Sequence, residues 1–349
     1  IMPSLVGSEM CIRDRNTLSY LFFLALGIFL FYYTFQKSNF SAIYKNLENI
    51  EYKWLFIVLI STITAYWARN ERWYMLLKTA NYSPKKSNVF IAMMLGYFVN
   101  LSIPRLGEIS RSAALQKKEN IPFNTTIGTV IIERIVDITC LLLIVIFVGF
   151  LEYEKINSFL ISHIFPILIQ LKEILLNHIK WVTIAIGTIL FGLFLMRKIL
   201  IIWLKKLFEF KFIADFKVGI LSILNLEHRF LFLFYTLVIW CMYFCTSYFC
   251  FLTLSEGENL GLHAGVTVLA FGSIARSLPI QGGSMGAYHF TVAQILLLFG
   301  MSKITGESIA LIIHSSQLIF QLLLGGICSL LFFIGTKKKT VKNDSLSSK

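Results

Sequence analysis

The stretch Asn100-Leu-Ser-Ile-Pro104-Arg105-Leu-Gly107-Glu108-Ile-Ser-Arg111 puts three charges directly behind an apolar run. Pro104 suits the first turn of a helix, where its missing N–H costs nothing, and Arg105, Glu108 and Arg111 then recur on one face. Two guanidiniums beside a helix N-terminus make a phosphate receptor, because free N–H groups, the helix dipole and bidentate arginine forks all favour an anion. Glu108 would hold the two arginines in orientation. The same residues also fit a polar interfacial helix in which Glu108 pairs only with Arg111.

A second group, Glu133, Arg134 and Asp137, lies inside an otherwise apolar stretch, with the two carboxylates four residues apart on one helical face. Carboxylates in such surroundings need cations, and the expected partners are Arg134 and either Arg105 or Arg111. The cluster is then either a structural salt-bridge network or a proton-accepting site; the residues themselves leave both readings open. Arg72 and His289 complete the expected charge network.

A third group follows Arg276: Pro279-Ile-Gln-Gly282-Gly283-Ser-Met-Gly286-Ala-Tyr-His289. The glycines allow a nest of backbone N–H groups to approach a ligand, Ser284 can cap the outgoing helix, and Arg276 supplies charge. His289 is either a group titrating near that site or a packing residue. His314, Gln317 and Gln321 share one face of the last apolar run, as interhelical glue or as pathway lining.

No P-loop, HExxH, G-x-S-x-G or strand-borne G-x-G-x-x-G sequence is present, so no catalytic residue, cofactor or metal is assigned. The six cysteines form no CxxC pair and are expected as small core residues.

These groups need a scaffold, and composition says which kind. At 349 residues, 56% hydrophobic and 15% charged, with mean hydropathy +0.72, the chain carries more apolar surface than one soluble core can hide. It is expected to be an all-α, polytopic integral membrane helical bundle. The net charge of +13 would raise nucleic acid as a partner in a soluble protein. Here the basic residues cluster at the ends of apolar runs, which favours a membrane reading and excludes a nucleic-acid module.

Runs of spanning length occur at Leu18 to Phe35, Trp54 to Ala68, Val130 to Leu151, Trp181 to Met196, Phe230 to Leu254 and Ile309 to Ile334. Two further apolar stretches are interrupted, Val89 to Ile103 by Pro104 and Val266 to Phe299 by Pro279 and its glycines. If each is a re-entrant hairpin with its tip at the interruption, the basic clusters fall on one side and Glu152, Glu154 and the SEGEN loop on the other. Arg69 to Lys86 is then a cytoplasmic connection, 155 to 180 and 198 to 229 are interfacial segments, and both termini are cytoplasmic in a bacterial inner membrane. The tips share an S-x-P-x-x-G pattern, Ser102 to Gly107 and Ser277 to Gly282, about half the chain apart. That is the layout of an inverted repeat with a binding site at the midplane. Residues 1–15 (IMPSLVGSEMCIRDR) have no helical period and are set aside as adaptor-derived sequence, with the true start expected near Asn16. The membrane domain is placed at 16–335, and 336–349 as a disordered basic tail.

With Arg72-Trp73, Asn100, Pro104-x-x-Gly107-Glu108-x-x-Arg111, Glu133-Arg134-x-x-Asp137 and Pro279-x-x-Gly282-Gly283 with Gly286 in that order, the chain resembles the transmembrane region of lysylphosphatidylglycerol synthases. The resemblance covers about residues 17 to 335 and implies a flippase-like helical domain. The implied partner is a membrane phospholipid or another lipid-linked headgroup. Two departures are visible: no aminoacyltransferase domain follows Thr336, and Tyr288 and His289 stand where the family often has an acidic residue. The leading reading is a lipid translocator. The alternatives are a membrane-embedded transferase or accessory subunit acting on phospholipid or polyprenyl phosphate, with Glu108 or Asp137 as base, and a lipid-binding scaffold.

Overall fold

The computed structural model describes residues 24–36, 38–154 and 226–347, with side chains to 335, and isolated positions between 157 and 223. The expectations for residues 1–15, for the span Trp181 to Met196 and for the two interfacial segments fall largely or wholly outside these residues. Every regular element described is helical: α1 (Leu24–Phe35), α2 (Phe40–Glu48), α3 (Tyr52–Thr79), α4 (Lys86–Ser102), α5 (Leu106–Glu119), α6 (Phe123–Leu151), α7 (Arg229–Phe251), α8 (Leu262–Ser277), α9 (Ala287–Leu298) and α10 (Lys303–Ser347). The protein is an all-α membrane bundle.

Helices α6, α7 and the Lys303–Gly335 part of α10 are long and apolar enough to cross a membrane. Along α6, Leu142, Leu143, Ile146, Phe147 and Phe150 are all exposed, a continuous apolar face suited to lipid. The backbone of α10 stays helical to Ser347, past the apolar stretch and through the basic segment expected as a disordered tail.

Helix α3 departs from the expected span. It does not stop at Ala68 but runs 28 residues to Thr79, so Arg69 and Arg72 lie within a helix and not in a connection. Its end is set by Asn81 in the left-handed conformation (φ 66°). The Asn81 and Tyr82 N–H groups donate back to the carbonyls of Lys78 and Leu77, the paired bonds that close a helix at such a residue.

The two interrupted segments are helical hairpins. In the first, α4 and α5 approach so closely that a Cβ on Gly107 would sit 2.2 Å from the Gly96 carbonyl oxygen. Pro104 is not in the first turn of α5. It lies in the tip, followed by Arg105 as the residue before the helix, in the left-handed conformation at φ 67°. The second hairpin pairs α8 with α9, joined by a tip from Leu278 to Gly286.

The chain order long helix, hairpin, long helix occurs twice, as α3 to α6 and as α7 to α10. Helix α3 packs on α7, α4 on α10 and α8 on α6. An exchange of the two halves carries this set of contacts onto itself. The first pair is antiparallel: Trp54 stacks on Phe249 with ring centroids 5.6 Å apart, Trp67 meets Tyr235 at 5.6 Å, and Arg72 reaches Thr236. Because the exchanged helices run in opposite directions, the relation is that of an inverted repeat. Helices α1 and α2 stand outside it. Helix α1 lies on the second hairpin, where a Cβ on Gly286 would come within 2.2 Å of the Gly27 carbonyl oxygen.

Candidate functional site

Helix periodicity decides which charges meet. On α6, Glu133 and Asp137 share a face, while the adjacent Arg134 points about 100° away. The shared face meets α3, where Arg69 and Arg72 are three residues apart. Arg69 Nε is 2.8 Å from Glu133 Oε1 and its Nη2 is 2.5 Å from Asp137 Oδ2. Arg72 Nη2 is 2.6 Å from Asp137 Oδ1 and 3.4 Å from Glu133 Oε1. From the first hairpin, Arg111 Nη1 reaches Glu133 Oε2 at 2.9 Å. Glu133 and Arg72 are 0% exposed, so each carboxylate oxygen of Glu133 is held by a cation where water does not compete.

This corrects two expectations. The carboxylates pair with Arg69, Arg72 and Arg111, and neither is paired with Arg134 or Arg105. Arg134 turns to the other side and binds Glu108, Nη2 to Oε1 at 3.1 Å. Glu108 therefore orients Arg134 and not the two hairpin arginines. Arg111 is further fixed by its guanidinium lying 4.6 Å from the Trp73 ring centroid, and Trp73 Nε1 donates to Thr129 Oγ1 at 3.1 Å. Three cations against two carboxylates lock α3, α5 and α6 together.

Beside this network is a cavity of about 640 Å³ whose wall takes residues from both hairpin tips. The first tip contributes Asn100, Pro104, Arg105 and Glu108, and the second Arg276, Pro279 and Gly283. Arg69, Arg134 and Asp137 form part of the wall, and His314, Gln317 and Gln321 of α10 line it together. Arg72, Arg111, Glu133 and His289 are not in that lining, nor are Gly107, Gly282 and Gly286. Those residues build the site from behind.

Each tip is built differently. Asn100 Oδ1 accepts the Gly107 N–H at 2.7 Å, closing the first tip with a side chain. The second has Gly282, Gly283 and Ser284 in succession at positive φ (63°, 68° and 66°), a left-handed turn open to glycine without penalty. Ser284 does not cap the outgoing helix. Its hydroxyl points back to the end of α8, 2.9 Å from the Leu278 carbonyl oxygen and 3.1 Å from that of Arg276. The residue before α9 is Gly286, whose N–H donates to His289 Nδ1 at 3.2 Å. His314 Nε2 lies 3.2 Å from the Gly283 carbonyl oxygen, and the two imidazoles pack with centroids 4.5 Å apart. Both histidines thus act on the shape of the second tip.

The sequence reading missed Arg69 and the aromatic wall of Tyr66, Tyr97, Trp240 and Tyr243. Arg69 Nη1 donates to Tyr243 Oη at 2.6 Å. The signal for Arg69 was present: it precedes Arg72 by three positions with no helix breaker before Asn81. Nothing in the spacing marks the tyrosines. Among the described residues no three His, Cys, Asp or Glu side chains gather as a metal site. Only Cys250 and Cys328 of the described cysteines are buried, and Cys241 is exposed on α7.

The model of the lysylphosphatidylglycerol synthase TM region matches residues 20–325. The chain belongs to that family. Two curated UPF0104 membrane proteins of Methanocaldococcus jannaschii are similar to it. One is 28% identical over 134 residues, 38% of either chain; the other is 24% identical over 241 residues, 68% of this chain and 94% of that protein. The chain thus spans about two-fifths of the first relative's length and nearly all of the second's. No solved structure matches the chain. Membership in the lysylphosphatidylglycerol synthase TM-region family, with the apolar helices, makes this a multi-pass protein of a lipid-related membrane family.

Proposed function

We propose that the cavity between the hairpin tips receives the phosphate-bearing headgroup of an anionic or lipid-linked lipid at the bilayer midplane, and that the protein moves it across the membrane. The observation that carries this is one arginine from each hairpin, Arg105 in the first tip and Arg276 in the last turn of α8, in a single cavity wall, neither with a carboxylate partner among the described residues. Arg276 is half-buried with its Nη2 buried and unpartnered, which is costly unless a ligand supplies an acceptor, while Arg105 is exposed and free to meet the same ligand. Asn100, Gln317 and Gln321 add neutral hydrogen-bonding groups for the headgroup. Arg111 supports the site by anchoring the first hairpin to Glu133.

The inverted repeat suits transport, because two halves of opposite direction can expose one site to either side in turn. Charge favours the orientation with Lys78, Lys85, Lys86, Lys117 and Lys118 cytoplasmic, and Glu152, Glu154, Glu256 and Glu258 outside. That orientation supports the reading of a bacterial inner-membrane protein with both ends cytoplasmic.

The test uses the purified chain in proteoliposomes carrying labelled anionic lipids of phosphate monoester and diester type, with an outer-leaflet quencher reporting accessibility. Wild type should move at least one of them, and folded Arg276→Gln should lose that movement. Folded wild type that moves none would defeat the reading. Chemical change in the recovered lipid, read by mass spectrometry, would replace the translocator with a transferase.

A further inference from the structure

Resting on the headgroup reading above and narrowing it, we propose that the preferred headgroup is a dianion, a lipid-borne phosphate monoester, over a singly charged phosphodiester or a cationic aminoacylated lipid. The argument is a count of charges left over once the protein has paired its own. Arg134 is taken by Glu108. Arg69, Arg72 and Arg111 share Glu133 and Asp137. That set keeps one positive charge in excess, and on the cavity wall Arg105 and Arg276, one from each hairpin, remain without a carboxylate.

Two unneutralised guanidiniums call for two negative charges in one place. A phosphate monoester carries about −1.5 to −2 near neutral pH and offers three terminal oxygens. A phosphodiester offers one charge and two such oxygens, so it neutralises only one of the two guanidiniums.

The donors stand ready. The Arg276 guanidinium carbon lies 4.2 Å from the Tyr288 ring centroid, a cation–π contact that holds the group against that ring. One of its terminal nitrogens, Nη2, is buried with no hydrogen-bond partner. The Tyr97 hydroxyl, on the same wall, is also buried without one. Orphaned buried donors are costly, and a phosphate oxygen is the acceptor that would relieve them.

The same count disfavours a lysyl or alanyl headgroup. Its ammonium would add a positive charge to a wall already in cationic excess, where Asp137 is held by Arg69 and Arg72 and Glu108, one oxygen on Arg134, has only Oε2 without a partner.

The experiment compares labelled phosphatidate, a polyprenyl monophosphate, phosphatidylglycerol and lysylphosphatidylglycerol with the full chain in proteoliposomes. At about pH 7.5 one or both monoesters should be moved or bound at least about tenfold better than phosphatidylglycerol. That preference should shrink toward about pH 5, where a monoester whose second pKa is about 6 loses its second charge. Which monoester wins identifies the lipid that carries the group. Folded Arg105→Gln and Arg276→Gln should each reduce the preference as well as the rate.

Equal handling of phosphatidylglycerol, or preference for the lysyl lipid, overturns the dianion and leaves the headgroup reading standing. Inorganic phosphate competing as well as lipid monoester overturns the lipid source. Failure of folded protein to bind or move any of the four defeats the headgroup reading itself.

Discussion

The two hairpins occupy equivalent places in the repeat yet are held by opposite kinds of force. The first is tied down by charge, through Arg111 on buried Glu133, and by two glycines that let α4 and α5 touch. Among the described residues the second has no ion pair behind its tip. It is shaped by left-handed glycines and by the neutral groups of Ser284, His289 and His314. The shared S-x-P-x-x-G pattern therefore marks where the chain turns and says little about how each turn is fixed. Its last glycine shows this: Gly107 sits in α5 for close packing, whereas Gly282 is in the tip for its positive φ.

The charge anchor should be the harder loss. Glu133→Ala leaves Arg69, Arg72 and Arg111 with only Asp137, and breaking such a buried set costs about 3–5 kcal/mol. Most of the protein should then fail to elute as a folded species in detergent. An Asp137→Ala loss as large as that of Glu133→Ala would show that Glu133 is not the central anchor.

Sterics come next. Gly107→Ala puts a methyl 2.2 Å from the Gly96 carbonyl oxygen, backbone that cannot step aside, at a cost of about 1–3 kcal/mol. Gly286→Ala meets the Gly27 carbonyl oxygen at 2.2 Å and also a φ of 87°, so it should lie at or above the top of that range. Thermal unfolding in detergent orders the two.

Conformation alone costs less. A Cβ on Gly282 or Gly283 meets no atom closer than 3.5 Å, so alanine there should cost only the left-handed penalty, about 1–2 kcal/mol. A drop in unfolding temperature as large as that of Gly107→Ala would erase the contrast between the tips.

The smallest effect should have the opposite sign. Arg105 is held at φ 67°, a conformation glycine adopts freely, so Arg105→Gly should raise stability by up to about 1 kcal/mol while abolishing lipid movement. A gain in one readout with loss in the other would mark Arg105 as a residue kept for the ligand.

Much of this was legible in the linear chain. Apolar runs of membrane length dictate an all-helical bundle, since in lipid the backbone is satisfied only by helices or closed barrels, and barrel strands are short and alternate apolar with polar residues. Pro104 and Pro279 with its glycines locate both hairpin tips, because proline and glycine interrupt a helix for local reasons. The face shared by Glu133 and Asp137 follows from 3.6 residues per turn, and so did the expectation that cations must meet them.

Only the tertiary structure decided which cations those are. Arg69 and Arg72 read as the basic end of a span, and the helix that carries them inward is stabilised by partners on α6 more than 60 positions away. Arg111, expected either at the ligand or on the carboxylates, faces Glu133, while Arg105 and Arg276, about half a chain apart, come to share one wall. Spacing reports which residues share a helix face; what that face meets depends on how antiparallel halves pack, and no local pattern contains that.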